Sequence, residues 1–415
     1  MFSRTPEIRR GSRTLVTHRA VLALVATALL PMATGCDSAG ADAGRWRLDY
    51  VSVSRDARVV DIAAVAEDEG WALSTEKRKD GSEAGFLLHR NGATWRRAGV
   101  PRPLRSEGGT LAGAQLEASG PRNVWLFGDV GRGGGPGALR WDGRQWRRTT
   151  VDFYTRDVAV LAPDDVWALD ASSDRPLAHH WDGTRWTGHP LPTDYVGRLS
   201  ASGPDDVWAV GDEGEDPSDR DVRHARQPAI VHFDGEKWRQ VTTPEYHSPK
   251  PKPDEKAKLT EVVALSPGNA WAFGLHGYTG ETGSQEYDAA FALHWDGSHW
   301  RKVPKAFDSS GASANELAVS ATGDGAGGLV LGSKVGSEQH RAADGTQRLI
   351  KDPKPVAGRS ERITETDRRQ HFELHDLQLV PGTRTVWAVG AVGIPLHDGD
   401  AHFARGVIAA YSTGD

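Results

Sequence analysis

A single phrase recurs along the chain. It is an apolar run, a tight turn, a strand with a central tryptophan, a polar insertion, then a Trp-Asp-Gly turn leading to a second tryptophan. Between Leu259 and Ala306 it reads LTEVVALSPGNAWAFG followed by AAFALHWDGSHWRKVPKA, with copies at Asp157–Pro192, Gly197–Pro244 and, more weakly, Gln115–Val151. Four short strands repeated every 40 to 60 residues or so is the spacing of propeller blades. In each unit an apolar strand a is followed by strand b, centred on Trp71, Trp125, Trp167, Trp208, Trp271 and Trp387, with Leu329 expected in the slot of the remaining unit. Strand c then runs into a two-residue turn, Asn91–Gly92, Asp142–Gly143, Asp182–Gly183, Asp234–Gly235, Asp296–Gly297 or Asp344–Gly345. Such pairs favour the tight hairpin geometry that matches strand twist. Strand d opens with Trp95, Trp146, Trp186, Trp238 or Trp300, and Gln347 or Arg348 stands near that place in the sixth unit.

Strand b counts seven units. The seventh shows no strand d after Tyr411, whereas Gly44–Arg45–Trp46–Arg47 matches the turn-Trp-Arg pattern at the other end. The expected fold is therefore all-β: a seven-bladed propeller of four-stranded antiparallel blades, spanning 45–415, with Arg45–Val51 as the outer strand of blade seven. Joining first and last strands removes open sheet edges. The recurring tryptophans read as wedges between blades. His89, His180, His232 and His294 recur once per blade at the end of strand c, with Arg140 in that slot of blade two. Spread around a ring, they do not converge on one metal, and a hydrogen bond within each blade is expected instead.

Ahead of the repeat, Arg4, Arg9, Arg10, Arg13 and Arg19 precede an apolar run from Ala20 to Leu30, and Cys36 follows. That is the layout of an export signal over residues 1–35, with an apolar segment too short to span a bilayer as a helix. Thr34–Gly35–Cys36 resembles the lipobox of bacterial lipoproteins, with Ala33 where leucine is preferred. The resemblance implies a lipidated Cys36, a tether over 36–44, and a protein held on the outer face of the cytoplasmic membrane. Cys36 is the only cysteine, so the exported part has no disulfides and relies on its core. A formal charge of −6 with no basic stripe gives no nucleic-acid footprint.

The a–b and c–d turns are short. Long insertions fall between b and c and between d and the next a, and both classes emerge on the same end of the ring, which makes that end the expected binding face. Three insertions supply candidates. One carries Asp216 and Asp219 among other acids beside Arg223 and His224. Oxygen-rich loops are candidate calcium seats, but the D-x-D-x-D-G spacing is absent and the expectation is a solvated, internally paired loop with no cofactor. The second is the Pro/Lys arch from Tyr246 to Lys258, a mobile contact or a solvated linker. The third, between Lys351 and Phe372, offers Arg368 and His371. Beside these three, the insertion with Tyr278, Tyr287 and Asp288 sets two aromatics in polar company, which suits a protein or glycan contact. No H-E-x-x-H, G-x-S-x-G or phosphate-binding glycine loop occurs. A pair of carboxylates facing each other across the central channel would suit glycoside cleavage, but the sequence selects no pair.

From Trp46 to Asp415 the chain resembles the kelch/WD40-like seven-bladed propellers, similar to the central domain of galactose oxidase, of actinobacterial secreted lipoproteins, with VWAVG and HWDGxxW as blade hallmarks. The resemblance implies an extracytoplasmic scaffold binding a protein, peptide or glycan on its long-loop face. The alternative is an exported hydrolase or lyase acting on a sugar or lactone at the loop-rich mouth of the channel. Convergent acid, His and Arg side chains in a deep polar pocket would favour the enzyme, and a broad surface without one the binder.

Overall fold

The computed structural model describes residues 44–213, 226–247, 250, 252, 254–307, 317–333, 336–395 and 401–414. They form seven four-stranded antiparallel sheets, each in the order of its strands along the chain. The one exception is the last sheet, where Arg47–Val51 pairs with Ala401–Ser412 in the register Arg47↔Ala410 to Val51↔Val407. The ring is thus closed as the repeat arithmetic requires. Trp46 is 1% exposed, packs against Tyr411 at 5.6 Å and Phe372 at 6.1 Å between centroids, and takes the place of the outer-strand tryptophan of blade seven.

The innermost strands of the blades are Ala57–Ala66, Gln115–Gly120, Thr155–Ala162, Tyr195–Gly203, Lys256–Ser266, Leu317–Gly323 and His371–Leu379. They stand around the axis and line a central channel. Between blades, the strand-b tryptophan of one meets the outer-strand tryptophan of the next edge to face. The pairs are Trp71–Trp146 (79°), Trp125–Trp186 (78°), Trp167–Trp238 (86°), Trp208–Trp300 (88°) and Trp387–Trp95 (71°). This T-shaped geometry is the one the ring quadrupoles favour. The histidines serve their own blades: His89, His180 and His232 bond Glu69, Asp165 and Asp206 at 2.8, 2.9 and 2.8 Å, and His294 bonds Asn269 at 2.9 Å. Each lies over its strand-b indole, with centroids 3.9–4.5 Å apart.

Three details differ from the sequence reading. In blade six, Val330 rather than Leu329 faces His340, the position the tryptophans take opposite their histidines. His340 in turn bonds Asp324 at 2.9 Å. The expected b–c loops of blades one and five are mostly paired strand: Glu69–Lys77 runs against Glu83–Asn91, and Asn269–Thr279 against Gln285–Trp295. Backbone hydrogen bonding carried up the hairpin satisfies groups that a free loop would leave to water. The d–a connection after blade one contains a helical turn, Arg102–Glu107, with Pro103 in its first turn, where a missing N–H costs nothing, and anchored by buried Leu104.

Because Trp46 supplies the one indole of the buried cluster at the seam between blades six and seven, Trp46→Ala is expected to cost about 3–5 kcal/mol. Chemical denaturation should show this as a lowered midpoint of one cooperative transition.

Candidate functional site

The axial channel encloses about 750 Å³. Its wall carries one column of the repeat, the residue ten places before the strand-b tryptophan: Asp61, Gln115, Asp157, Arg198 and Glu261, with Ser320 ten before Val330 in the tryptophan-less blade six and Asp376 eleven before Trp387 in blade seven. In five blades a β-bulge sits immediately before this residue, the register slipping at Val59/Asp61, Thr155/Asp157, Val196/Arg198, Leu259/Glu261 and Leu374/Asp376. Bulges of this kind re-aim side chains and collect at functional rims. Two residues further along, Glu117, Ser200, Thr322 and Gln378 face the same channel.

Part of this polar wall is structural. An innermost strand has one unpaired edge, and its N–H groups need acceptors. Asp61 Oδ2 accepts the Leu116 N–H at 2.7 Å, Asp157 Oδ2 the Leu199 N–H at 2.6 Å, Ser200 Oγ the Ala264 N–H at 3.0 Å and Thr322 Oγ1 the Leu379 N–H at 3.1 Å. Gln378 Oε1 accepts from Ala64, and Gln115 Nε2 donates to the Arg156 carbonyl at 3.0 Å. These bonds clip neighbouring blades together at every seam but that between blades five and six.

The rest is electrostatic. Five carboxyl groups share the channel with Arg198, whose guanidinium acts on three of them, Asp157, Glu261 and Asp376. Burial pushes Glu261 up to about 8, with Arg198 pulling the other way and Asp157 adding to the rise. Burial likewise takes Glu117 to about 8 and, against Arg198 and the Leu199 N–H, Asp157 to about 6. Asp61 and Asp376 are both raised, by burial first; Asp376 hydrogen-bonds Asp61, so the pair shares a proton across the junction of blades seven and one. Burial opposes the Arg198 charge, yet Asp157, Glu261 and Asp376 outweigh it and hold the guanidinium protonated. Arg198 Nε lies 3.8 Å from Glu261 Oε2. At neutral pH the channel therefore holds protonated and ionised carboxyls side by side, an arrangement able to give a proton at one point and take one at another. The mouth above them carries Arg58, 3.8 Å from Glu373, and His375, whose Nδ1 is 3.2 Å from the Val59 carbonyl oxygen.

None of these residues was among the sequence-derived candidates. Of those, Tyr246, Tyr278, Tyr287 and Asp288 come together on blade five and its arch. His276, 1% exposed, is held between Asp288 Oδ1 at 2.6 Å and Glu255 Oε1 at 2.9 Å, and Lys252 reaches Asp288 Oδ2 at 2.8 Å. Each tyrosine is covered by a lysine: Lys252 over Tyr278 at 3.6 Å, Lys302 over Tyr246 at 4.7 Å and Lys258 over Tyr287 at 5.4 Å. These contacts hold the arch down on the hairpin. Arg368 pairs with Glu365 in its own turn at 3.3 Å, and His371 acts on the buried carboxyl of Asp352. Asp216, Asp219, Arg223, His224 and Cys36 lie outside the described residues. Among the described residues no group of three or more His, Cys, Asp or Glu is placed to hold a metal ion.

The fold and channel define a seven-bladed propeller with an acidic axial cavity. No family model matches the chain, and no curated protein does. Solved structures share its course at low identity. "Structure of U3-55K" is 12% identical, with a TM-score of 0.47, over 86% of this chain and 98% of that one. "Crystal structure of RRP9 WD40 repeats" is 11% identical, at 0.47, over 88% and 99%. An alpha-L-arabinanase of Penicillium chrysogenum complexed with arabinobiose is 12% identical, at 0.40, over 89% and 98%. These likenesses concern the fold alone, and any functional reading rests on the channel.

The raised carboxyls fix a pH dependence. A carboxyl whose folded pKa lies above its unfolded value binds its proton more tightly when folded, so its contribution is complete at low pH and is lost as pH rises through the folded pKa. Stability should therefore fall as pH rises from the ordinary carboxylate range, below which all three are protonated in both states, to about 8, the window set by Asp157, Glu117 and Glu261. Glu261→Gln should flatten part of this slope and melt no lower than the parent at pH 8, measured as thermal unfolding against pH.

Proposed function

We propose that the chain is an exported hydrolase acting on glycosidic bonds, with the axial channel as its site. What carries the reading is Glu261 and Asp157 flanking Arg198 with different proton affinities, about 8 and about 6. In this scheme Glu261, protonated at neutral pH, gives its proton to the oxygen of the departing sugar as the C–O bond breaks. Asp157, ionised, takes a proton from the water that attacks the anomeric carbon. Arg198 lowers both carboxyls and lies beside Glu261; the gap between them comes from the Leu199 and Val158 N–H groups on Asp157 and from the repulsion of Glu261 by Asp157. Surrounding Ser, Thr and Gln side chains suit a polyhydroxylated ligand. The long-loop mouth, with Arg58, Glu373 and His375, admits it.

A second reading, a binding or scaffold propeller for a glycan, peptide or protein, is favoured by one observation. Asp61 and Asp157 each spend an oxygen on a neighbouring blade's N–H, a bond that stabilises the ring whether or not any chemistry follows. In both readings we place the protein on the outer face of the cytoplasmic membrane through lipid on Cys36. The support is the position of the only cysteine at the end of the export signal. Incorporation of labelled palmitate should be lost in Cys36→Ala.

The full chain, purified in detergent, should release reducing ends from at least one member of a panel of oligosaccharides. Its rate profile should be bell-shaped, with limbs near the two values above. Glu261→Gln should lower turnover by about a hundredfold or more while leaving the fold intact. Sugar binding without cleavage across the panel would instead establish the second reading.

A further inference from the structure

The propeller has one seam built differently from the others. At every other seam an outer-strand tryptophan or its equivalent closes the wedge: Trp146, Trp186, Trp238, Trp300 and Trp95 against strand-b tryptophans, and Trp46 in the cluster with Val330. Between blades five and six the strand-b residue is Trp271, but the outer-strand position paired with the end of strand c is Gln347, in the register Arg341↔Gln347. Gln347 turns its amide to the Lys305 carbonyl at 2.7 Å and does not replace the indole. Arg341 stands where blades two, three and five have Trp141, Trp181 and Trp295, and its guanidinium lies 5.2 Å from the Trp271 ring centroid.

At this seam, against the indole that has no tryptophan partner, lies a cavity of about 400 Å³. Its floor is Trp271 with His294, one wall is Arg341, and its rim is small: Gly268, Gly327, Ala342 and Ala343. Trp271 is 8% exposed, whereas the other five strand-b tryptophans are 0–3% exposed. The cavity opens among the short turns, on the end of the ring opposite the long loops. The chain itself shows what such walls accept, since at five seams the same strand-b indole face receives a second indole at 71–88°. Cavities left by a deleted apolar side chain bind aromatic rings in this way.

We propose that the seam between blades five and six is a binding site for a flat aromatic ring of indole size, which lies edge-on to Trp271 and beside the Arg341 guanidinium. The ring comes either from a small aromatic molecule or from the tryptophan of a peptide, and the two share one seat.

Ligand-observed NMR and thermal shift on the full chain, with free indole and with N-acetyltryptophanamide as probes, test this directly. At least one probe should bind and raise the melting temperature, and the tighter of the two identifies the source. Gln347→Trp restores the residue the other blades carry. It should melt higher than the parent without ligand and weaken probe binding by about tenfold or more. If Gln347→Trp does not fold, Arg341→Trp, the residue of blades two, three and five, should show the same loss of binding. Absence of binding by both probes overturns the proposal, as does binding that is unchanged in the filled variants.

Discussion

The innermost strand of a propeller blade has a free edge that faces six neighbours of its own kind across a narrow channel. Its N–H groups are too enclosed for bulk water and too far from another strand to make a ladder, so side chains must accept them. Asp61, Asp157, Ser200, Thr322 and Gln378 do so, each reaching the next blade's backbone. That requirement brings polar groups to the axis of a fold whose seams are otherwise filled with tryptophan. Once several carboxyls share one enclosure, desolvation and mutual repulsion raise their pKa values. The same residues that close the ring thereby become a site with mixed protonation states.

The seams follow a different rule. At five of the seven seams a pair of tryptophans in a T-shaped contact fills the wedge with large, rigid rings, and in blades one, three, four and five a histidine beside the strand-b indole fixes it through a bond to an acid or amide at the head of that strand. This explains how a chain with a single cysteine, and so no internal disulfide, holds together. It also explains why the seam where Gln347 stands in place of tryptophan carries a cavity instead of collapsing. The rigid sheets on either side do not close over the space of an indole.

The blade count, the closure by the N-terminal strand and the bland role of the repeated histidines were all legible before any coordinates. They follow from local features: a turn dipeptide, an alternating strand and a residue that recurs once per blade. The b–c segments of blades one and five were misread because polar alternation in a hairpin that rises above the ring resembles a loop. The channel acids were visible as a column, with Asp61, Asp157, Arg198 and Glu261 each ten residues before a tryptophan, a charge placed in an otherwise apolar strand. That signal was present and carried no meaning until the ring brought the column to one axis. The surface tyrosines drew notice because aromatic residues in a polar insertion are conspicuous in a sequence. In the structure lysines cover them and hold them to their own hairpin.

The sequence by itself determined the repeat, the number of blades and the way the ring closes, because these depend on short-range pattern and on which end carries the missing strand. Tertiary structure alone decided which side chains meet at the axis, which of them keep a proton, and where a wedge is left unfilled. Those properties arise between residues far apart in the chain, and burial and charge interaction act through space.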